Sequence, residues 1–441
     1  MKRFVSLVLA IVMALSLMAL ASGCGKEKSE VDTDLLKGMT IRIASWGTAK
    51  PVEGTEEGDL KLEAIAAAEE KYGCTVEWLT INDLTQQLLT AATTGQVVAD
   101  VLMQRSHRVV ELLMKGDYFW SVEDLGGDPT ADIYNQDTTK YTTYKGKTYG
   151  WWYDPTNVNS MMVINKSIVE RAGAKLPYDL VEDRKWTFEA FGKLMNETFD
   201  PTAGIYGSSH FGSLVQYMLH CNNTGIYTEK DGVHVANTSD TKLQEVFEFL
   251  SNAVVTDKVM DSRMGAATND VTKDFISGKY VALSAGRATM RDHLSKEMSD
   301  AWGIMPMPIG PSADEYVKLD NECKTFCIQK AVDLELAKAL FQFMNETYVS
   351  PLEEEDIMRS MYQAFCPDEE SFKNMMLVQD LPLTMVTEYT TPDLRNYEGN
   401  TVVSSLNGMA NGTKPIKSTL DAMAPEIQGI LDEYYGQKSG K

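Results

Sequence analysis

The sequence predicts a mixed α/β protein of two domains, and three observations carry that expectation. At 441 residues the chain exceeds what one hydrophobic core organises. Its 44% apolar content is ordinary for a globular protein. Between Thr40 and Met103, strand-like and helix-like patterns alternate as in a largely parallel sheet.

The elements follow in order. Thr40-Ile41-Arg42-Ile43-Ala44 alternates as a strand and stops at Ser45-Trp46-Gly47. Leu60–Tyr72 spaces Leu62, Ile65, Ala66 and Ala68 as a helix closed by Gly73. A strand at Thr75–Leu79, a helix over Thr85–Thr93 before Gly95, and a strand at Val97–Met103 complete the unit. Lys145-Gly146-Lys147 reads as a turn and Thr148–Tyr153 as extended chain. Ser160–Asn165 is a strand leading into a helix at Lys166, and Phe188–Thr198 is a helix with Thr187 as its N-cap. Val271–Leu283 reads helix, Gly278, strand. Leu334–Tyr348 and Ser418–Tyr435 are strongly periodic helices.

The N-terminus directs the chain out of the cytoplasm. Met1–Arg3 is basic, Phe4–Leu20 is an apolar run of 17 residues, and Ala21-Ser22-Gly23-Cys24 supplies small residues at a cut site. That order is a secretory signal peptide, and the run is marginal for a spanning helix, which needs about 20 apolar residues. Its end resembles the lipobox of bacterial lipoproteins, in which Cys24 would become the lipidated first residue of the mature chain. Residues 1–23 are then the signal peptide, and 24–37 the lipidated cysteine and a polar tether. The expected location is the extracytoplasmic face of the bacterial membrane.

Losing Lys2 and Arg3 with no acid takes the formal charge from −22 to −24. A body so acidic argues against nucleic acid and against lying flat on an anionic membrane. Beyond Cys24 the five cysteines, Cys74, Cys221, Cys323, Cys327 and Cys366, are too sparse for a disulfide framework, though one bridge among them is left open. Cys323 and Cys327 lack the second half-site of a zinc motif, and Cys327 reads as a small apolar residue in a buried strand. No metal or cofactor is expected. The five histidines form no His-Glu-x-x-His, no P-loop or dinucleotide fingerprint occurs, and Gly207–Gly212 is not a nucleophile elbow. An enzyme, with a glycoside hydrolase as its most plausible form, is therefore not expected.

Ligands of parallel sheets collect at the carboxyl ends of strands. Trp46, Gly47 and Thr48 leave the first strand there, and Gln104, Arg105 and Arg108 follow the third. Tyr149, Trp151 and Tyr153 share one face of an extended segment; Gly150, Trp152 and Asp154 share the other, so only one of the two tryptophans faces a cleft. Arg287 follows the strand at Tyr280–Leu283, and Tyr397 lies in a late aromatic, polar stretch. Flat rings with planar donors suit a sugar. Two convergent arginines among Arg105, Arg108 and Arg287 would suit an anion instead. The acids Glu353–Asp356 read as a solvated helix start, and Tyr434-Tyr435 as packing.

The order of motifs resembles the extracellular solute-binding proteins of ABC transporters (family 1, the maltose- and multiple-sugar-binding lipoproteins). The resemblance rests on Thr40–Trp46, Ala64–Trp78, Ala92–Val101, Gly146–Gly150 with Met161–Lys166, Phe275–Ala282, Ile304–Gly310 and Phe326–Phe343, and covers about residues 24–435. It implies a periplasmic-binding-protein-like fold of the class II type, with mostly parallel sheets flanked by helices and a hinged cleft. Lobe one would comprise 38–155 and 326–386, lobe two 156–325 and 387–435, with 436–441 as a tail. Asn157 and Asn159 fall where the family's chain first crosses between lobes. The resemblance implies capture of a carbohydrate, by a monomer, for delivery to the transmembrane subunits of an importer. The alternatives are a polyol, glycerol phosphate or polyamine ligand, or a sensing role beside a histidine kinase.

Overall fold

The computed structural model describes residues 31–156, 158–209, 212–261, 268–320, 323–386, 391, 394 and 401–436. The leader, Cys24, Asn157 and Tyr397 lie outside them.

Lobe one is built on a sheet of β1 (Thr40–Ser45), β2 (Thr75–Thr80), β3 (Val101–Arg105) and a late strand, β14 (Lys324–Cys327). The order is β14-β3-β1-β2, with β14 antiparallel and the rest parallel. Alternation divides its side chains between two cores. Ile41, Ile43, Val101, Met103 and Phe326 pack with helices Glu56–Tyr72 and Leu334–Thr347. Ala44, Leu102 and Cys327 pack with helices Leu84–Thr94 and Ser106–Lys115. The helix Glu56–Tyr72 starts where Thr55 accepts from the Gly58 amide, and stops at Gly73, whose φ of 65° suits a residue without Cβ.

A tight hairpin, β4 (Thr143–Tyr144) and β5 (Lys147–Thr148), turns at Lys145 and Gly146. The chain then runs extended beside β14, where Trp151 and Phe326 exchange backbone hydrogen bonds of 3.1 and 2.7 Å. A Cβ on Gly150 would stand 2.2 Å from the Thr325 hydroxyl, so glycine is what admits this close approach.

Lobe two centres on a five-stranded sheet ordered β10-β7-β11-β6-β12, comprising β6 (Met161–Asn165), β7 (Tyr206–Ser209), β10 (Met260–Asp261), β11 (Tyr280–Ala285) and β12 (Trp302–Met305). It is mixed: β6 runs antiparallel to both its neighbours. Another hairpin, β8 (Tyr227–Lys230) and β9 (Val233–Ala236), packs on the C-terminal helix Ile416–Tyr434. A two-stranded ribbon of β13 (Lys318–Asp320) and β15 (Leu383–Met385) completes the strands among the described residues.

The expected segment 326–386 of lobe one needs correction. The chain stays with lobe one only to Tyr348. Helices Glu354–Gln363 and Glu369–Gln379 bury Ile357, Met358, Tyr362, Met375 and Val378 in the core of lobe two. The helix Glu369–Gln379 packs on β12, and Glu354–Gln363 packs on that helix in turn. The acids at the first of these helix starts are exposed, as solvated charges at a helix N-terminus should be. Cys74, Cys221, Cys323, Cys327 and Cys366 are free thiols, and burial raises the Cys327 thiol above its ordinary range. No helix among the described residues is long and apolar enough to cross a membrane.

Candidate functional site

The segment leaving β1 is pinned from beneath. Tyr348 accepts from the Trp78 indole at 3.0 Å and donates to the Ala49 carbonyl at 3.3 Å. Thr80 donates to the Gly47 carbonyl at 2.6 Å. Held so, Thr48 to Val52 form one rim of a cavity of about 260 Å³ between the lobes. Trp152 supplies an aromatic wall, stacked on Phe326 at 5.1 Å and 28°. Lobe two contributes Asn159, Arg287, Arg291 and Met361. Asn159 donates to Asp320 at 3.1 Å and its backbone N–H to the Leu319 carbonyl at 3.0 Å. Gly286 lets the Arg287 turn close up, since a Cβ there would lie 3.0 Å from the Asn159 carbonyl.

Charge on the lobe-one wall is concentrated at Lys61, a buried ammonium paired with both Glu57 and Asp154. Burial alone would lower its pKa, but Asp154 and Glu57 outweigh that and raise it. Glu57 moves up instead, through burial and then the nearby Asp154, with Lys61 only partly opposing. The pair of carboxylates therefore depends on one ammonium. Across the cavity, Arg291 is held by Asp292 at 2.9 and 2.6 Å, and Arg287 rests on the Met361 sulfur.

Thr48, Trp152, Asn159 and Arg287 are brought together here. Other expected residues are placed elsewhere. Trp151 is fully buried, edge-on to Phe341 at 4.8 Å, because strand parity turns it into the lobe-one core. Tyr153 follows the same parity and bonds to Asn345 at 2.7 Å. Gln104 is buried on the other face of β3, donating to Thr85 at 3.3 Å. Arg108 pairs with Glu111 at 2.6 Å one helical turn on, a surface ion pair. Trp46 and Arg105 face each other, the guanidinium 4.4 Å from the ring centroid, and neither they nor Gly47 line the cavity. Lys61 and Glu57 escaped sequence reading because an i,i+4 charge pair on a helix is ordinarily a solvated one. The only available signal for Arg291 was its spacing, four residues after Arg287 and behind a strand.

A larger cavity, about 1220 Å³, also lies between the lobes. The smaller one is the better candidate for the principal site. It alone gathers the residues following both β1 and β11, where strand ends and loop backbones converge on a ligand. Among the described residues no cluster of histidine, cysteine or carboxylate is arranged to hold a metal.

Residues 63–351 match the family described as bacterial extracellular solute-binding protein. No curated protein matches the sequence. Among solved structures, the fold is similar to a substrate-binding protein of an ABC transporter from Listeria monocytogenes in complex with cycloalternan. The TM-score is 0.62 at 16% identity, covering 91% of this chain and 100% of that one. It is also similar to UgpB from Mycobacterium tuberculosis in complex with glycerophosphocholine, with TM-score 0.63, 14% identity and coverages of 89% and 98%. A third, the GacH receptor of Streptomyces glaucescens, solved unliganded and with acarbose, gives 0.61 at 15% identity, covering 90% and 99%. At these identities the likeness is one of fold.

Proposed function

The chain belongs to the bacterial extracellular solute-binding proteins, and from that premise we propose that it captures a carbohydrate between its lobes and delivers it to the membrane subunits of an ABC importer. The observation that carries the sugar reading is Trp152. Its ring is stacked on Phe326, is only half-buried, and stands beside Asp154 and Thr48 as hydrogen-bonding groups. A flat apolar face flanked by a carboxylate and a hydroxyl suits the C–H face and the hydroxyls of a sugar ring. A ligand touching Trp152 on lobe one and Asn159 or Arg287 on lobe two stabilises the closed arrangement by its differential affinity for it. Cys24 would hold the protein to the membrane near the importer on a tether shorter than the expected 24–37, since Thr33–Leu36 is a short helix with Leu36 buried in the lobe-one core and Val31 packed against it; residues 25–30 reach at most about 20 Å.

A second reading rests on Arg287 and Arg291, one helical turn apart on the cavity wall. Two guanidiniums there suit a ligand carrying phosphate or carboxylate.

Thermal unfolding of residues 25–441 against sugars, polyols, phosphate esters and polyamines tests both. A ligand at 100 times its dissociation constant adds about 2.7 kcal/mol, a readily measured rise in midpoint. A rise with a neutral sugar family supports the first reading, and a rise confined to anions replaces it with the second. No rise with any class removes both.

A further inference from the structure

The chain passes from the lobe-one core to the lobe-two core between Tyr153 and Val158, returns between Leu319 and Phe326, and leaves again between Tyr348 and Leu352. Thr156, in the first of these crossings, is gripped from both sides. From lobe one, the Asn135 side-chain amide donates to its hydroxyl at 3.1 Å and to the nearby Asp154 carbonyl at 2.7 Å. From lobe two, the Gln379 side-chain amide donates to its backbone carbonyl at 3.0 Å. Gln379 closes the helix Glu369–Gln379 and is only 6% exposed. Its side-chain oxygen accepts from the Tyr362 hydroxyl at 2.6 Å, and the Tyr362 oxygen accepts in turn from the Val158 N–H at 3.2 Å. Its main-chain carbonyl accepts from the buried Lys318 ammonium at 3.0 Å, on the strand that leads into the second crossing. One helix end is thereby bonded to the chain on both sides of Asn157 and to β13.

Packing alone does not call for a glutamine here. A buried carboxamide needs its donors and acceptor met, and an aliphatic side chain of the same length would fill the space without that demand. What the polar groups add is direction, because a satisfied network fixes one arrangement of the segments it joins. Hinges absorb lobe rotation in a few residues. Turning the lobes apart at the first crossing carries Thr156 with Asn135 and draws its carbonyl away from Gln379.

We infer that Gln379 is a positioning residue for capture, one that holds the lobes at a set angle through Thr156 without touching the ligand. It lines neither interlobe cavity. Without that bond the lobes spend more time apart, and apparent affinity falls with the fraction of molecules in the binding-competent arrangement. The inference rests on capture between the lobes, but its test adds no solute, so it stands or falls separately from the carbohydrate assignment.

The test is small-angle X-ray scattering from residues 25–441 without ligand, with thermal unfolding measured on the same samples. The proteins compared are wild type, Gln379→Met, Tyr362→Phe and Met375→Ala. Met375 is buried in the lobe-two core on the same helix, so its replacement reports what loss of packing alone does. Gln379→Met is expected to raise the radius of gyration and broaden the pair-distance distribution. Tyr362→Phe, which leaves the bond to Thr156 in place, should do so less. Met375→Ala should lower the unfolding midpoint and scatter as wild type does. The inference is overturned if folded Gln379→Met scatters like wild type, or if Met375→Ala expands the molecule equally. Should Gln379→Met fail to fold, Tyr362→Phe decides: expansion supports the inference and wild-type scattering overturns it.

Discussion

Trp151 and Trp152 are bonded neighbours whose rings point to opposite sides of one extended segment. Trp151 is sealed against Phe341 with its indole donating to Tyr153 at 2.8 Å, and Trp152 lies on Phe326 at the cavity wall. Phe326 touches both, at 6.4 and 5.1 Å, so β14 is the fixed element that sorts the pair.

The two should separate binding from stability. Trp152→Ala is expected to weaken ligand binding at least tenfold and shift the unfolding midpoint little. Trp151→Ala is expected to cost about 3–5 kcal/mol of stability, the usual range for emptying a buried aromatic site. Titration calorimetry and urea denaturation of both proteins check this; equal effects on affinity would dismiss the assignment.

Trp46→Ala should change affinity less than threefold, because its ring is engaged with Arg105 outside the cavity lining. A tenfold loss measured in the same titration would return Trp46 to the site.

Lys61→Met removes the ammonium shared by Glu57 and Asp154. Two crowded carboxylates remain, and the expected loss is about 3 kcal/mol at neutral pH. It should shrink as acid protonates Glu57, whose pKa is already raised by burial and by Asp154. Denaturation at pH 7 and pH 4.5 reads the difference; a loss independent of pH would contradict the shared-ammonium account.

Glu346 joins the helices Leu334–Thr347 and Glu56–Tyr72, accepting from Lys71 at 2.8 Å and Tyr72 at 2.7 Å. Burial alone would raise its pKa, but those hydrogen bonds, with Gln342, outweigh it and lower the folded-state value. A lowered carboxylate stabilises the fold above its unfolded pKa, near 4.3, and loses that contribution as pH falls through the folded value. Glu346→Gln should therefore cost about 1 kcal/mol at pH 7 and progressively less below pH 4. Urea midpoints across that range measure it, and a constant difference would refute it.

Cys24→Ser should leave binding intact and release the protein from the membrane fraction. Continued anchoring, seen by fractionation and immunoblot, would sink the lipobox reading.

Much of the fold was legible because its elements carry local signals. Thr187 caps its helix by accepting from Ala190, and Phe188–Thr198 has the bounds its periodicity predicts. The third strand begins at Val101 instead of Val97; the Val98 amide is taken by the Gln329 side chain, and the Asp100 amide is the first to bond to β1, at the Arg42 carbonyl. The change of lobe at Tyr348 had no local signal, because a helix's apolar stripe does not say which core receives it. The site divides similarly. Parity narrowed Trp151 and Trp152 to one, but choosing between them required the β14 pairing, a contact between segments far apart in sequence. Gln104 lies off the cavity for the same reason, its carboxamide bonded to Thr85 of a neighbouring helix.

The late arrival of β14 also sets an order of assembly. β3 has β1 on one side and nothing on the other until Lys324–Cys327 has been synthesised, and the helix that covers Ile41 and Ile43 comes later still. A growing chain therefore cannot complete its first lobe until roughly three-quarters of it exists, and non-local pairing of this kind is slow to form. For a member of an extracellular family that delay is useful during export: such a chain reaches the translocation machinery before it has a finished domain to unfold.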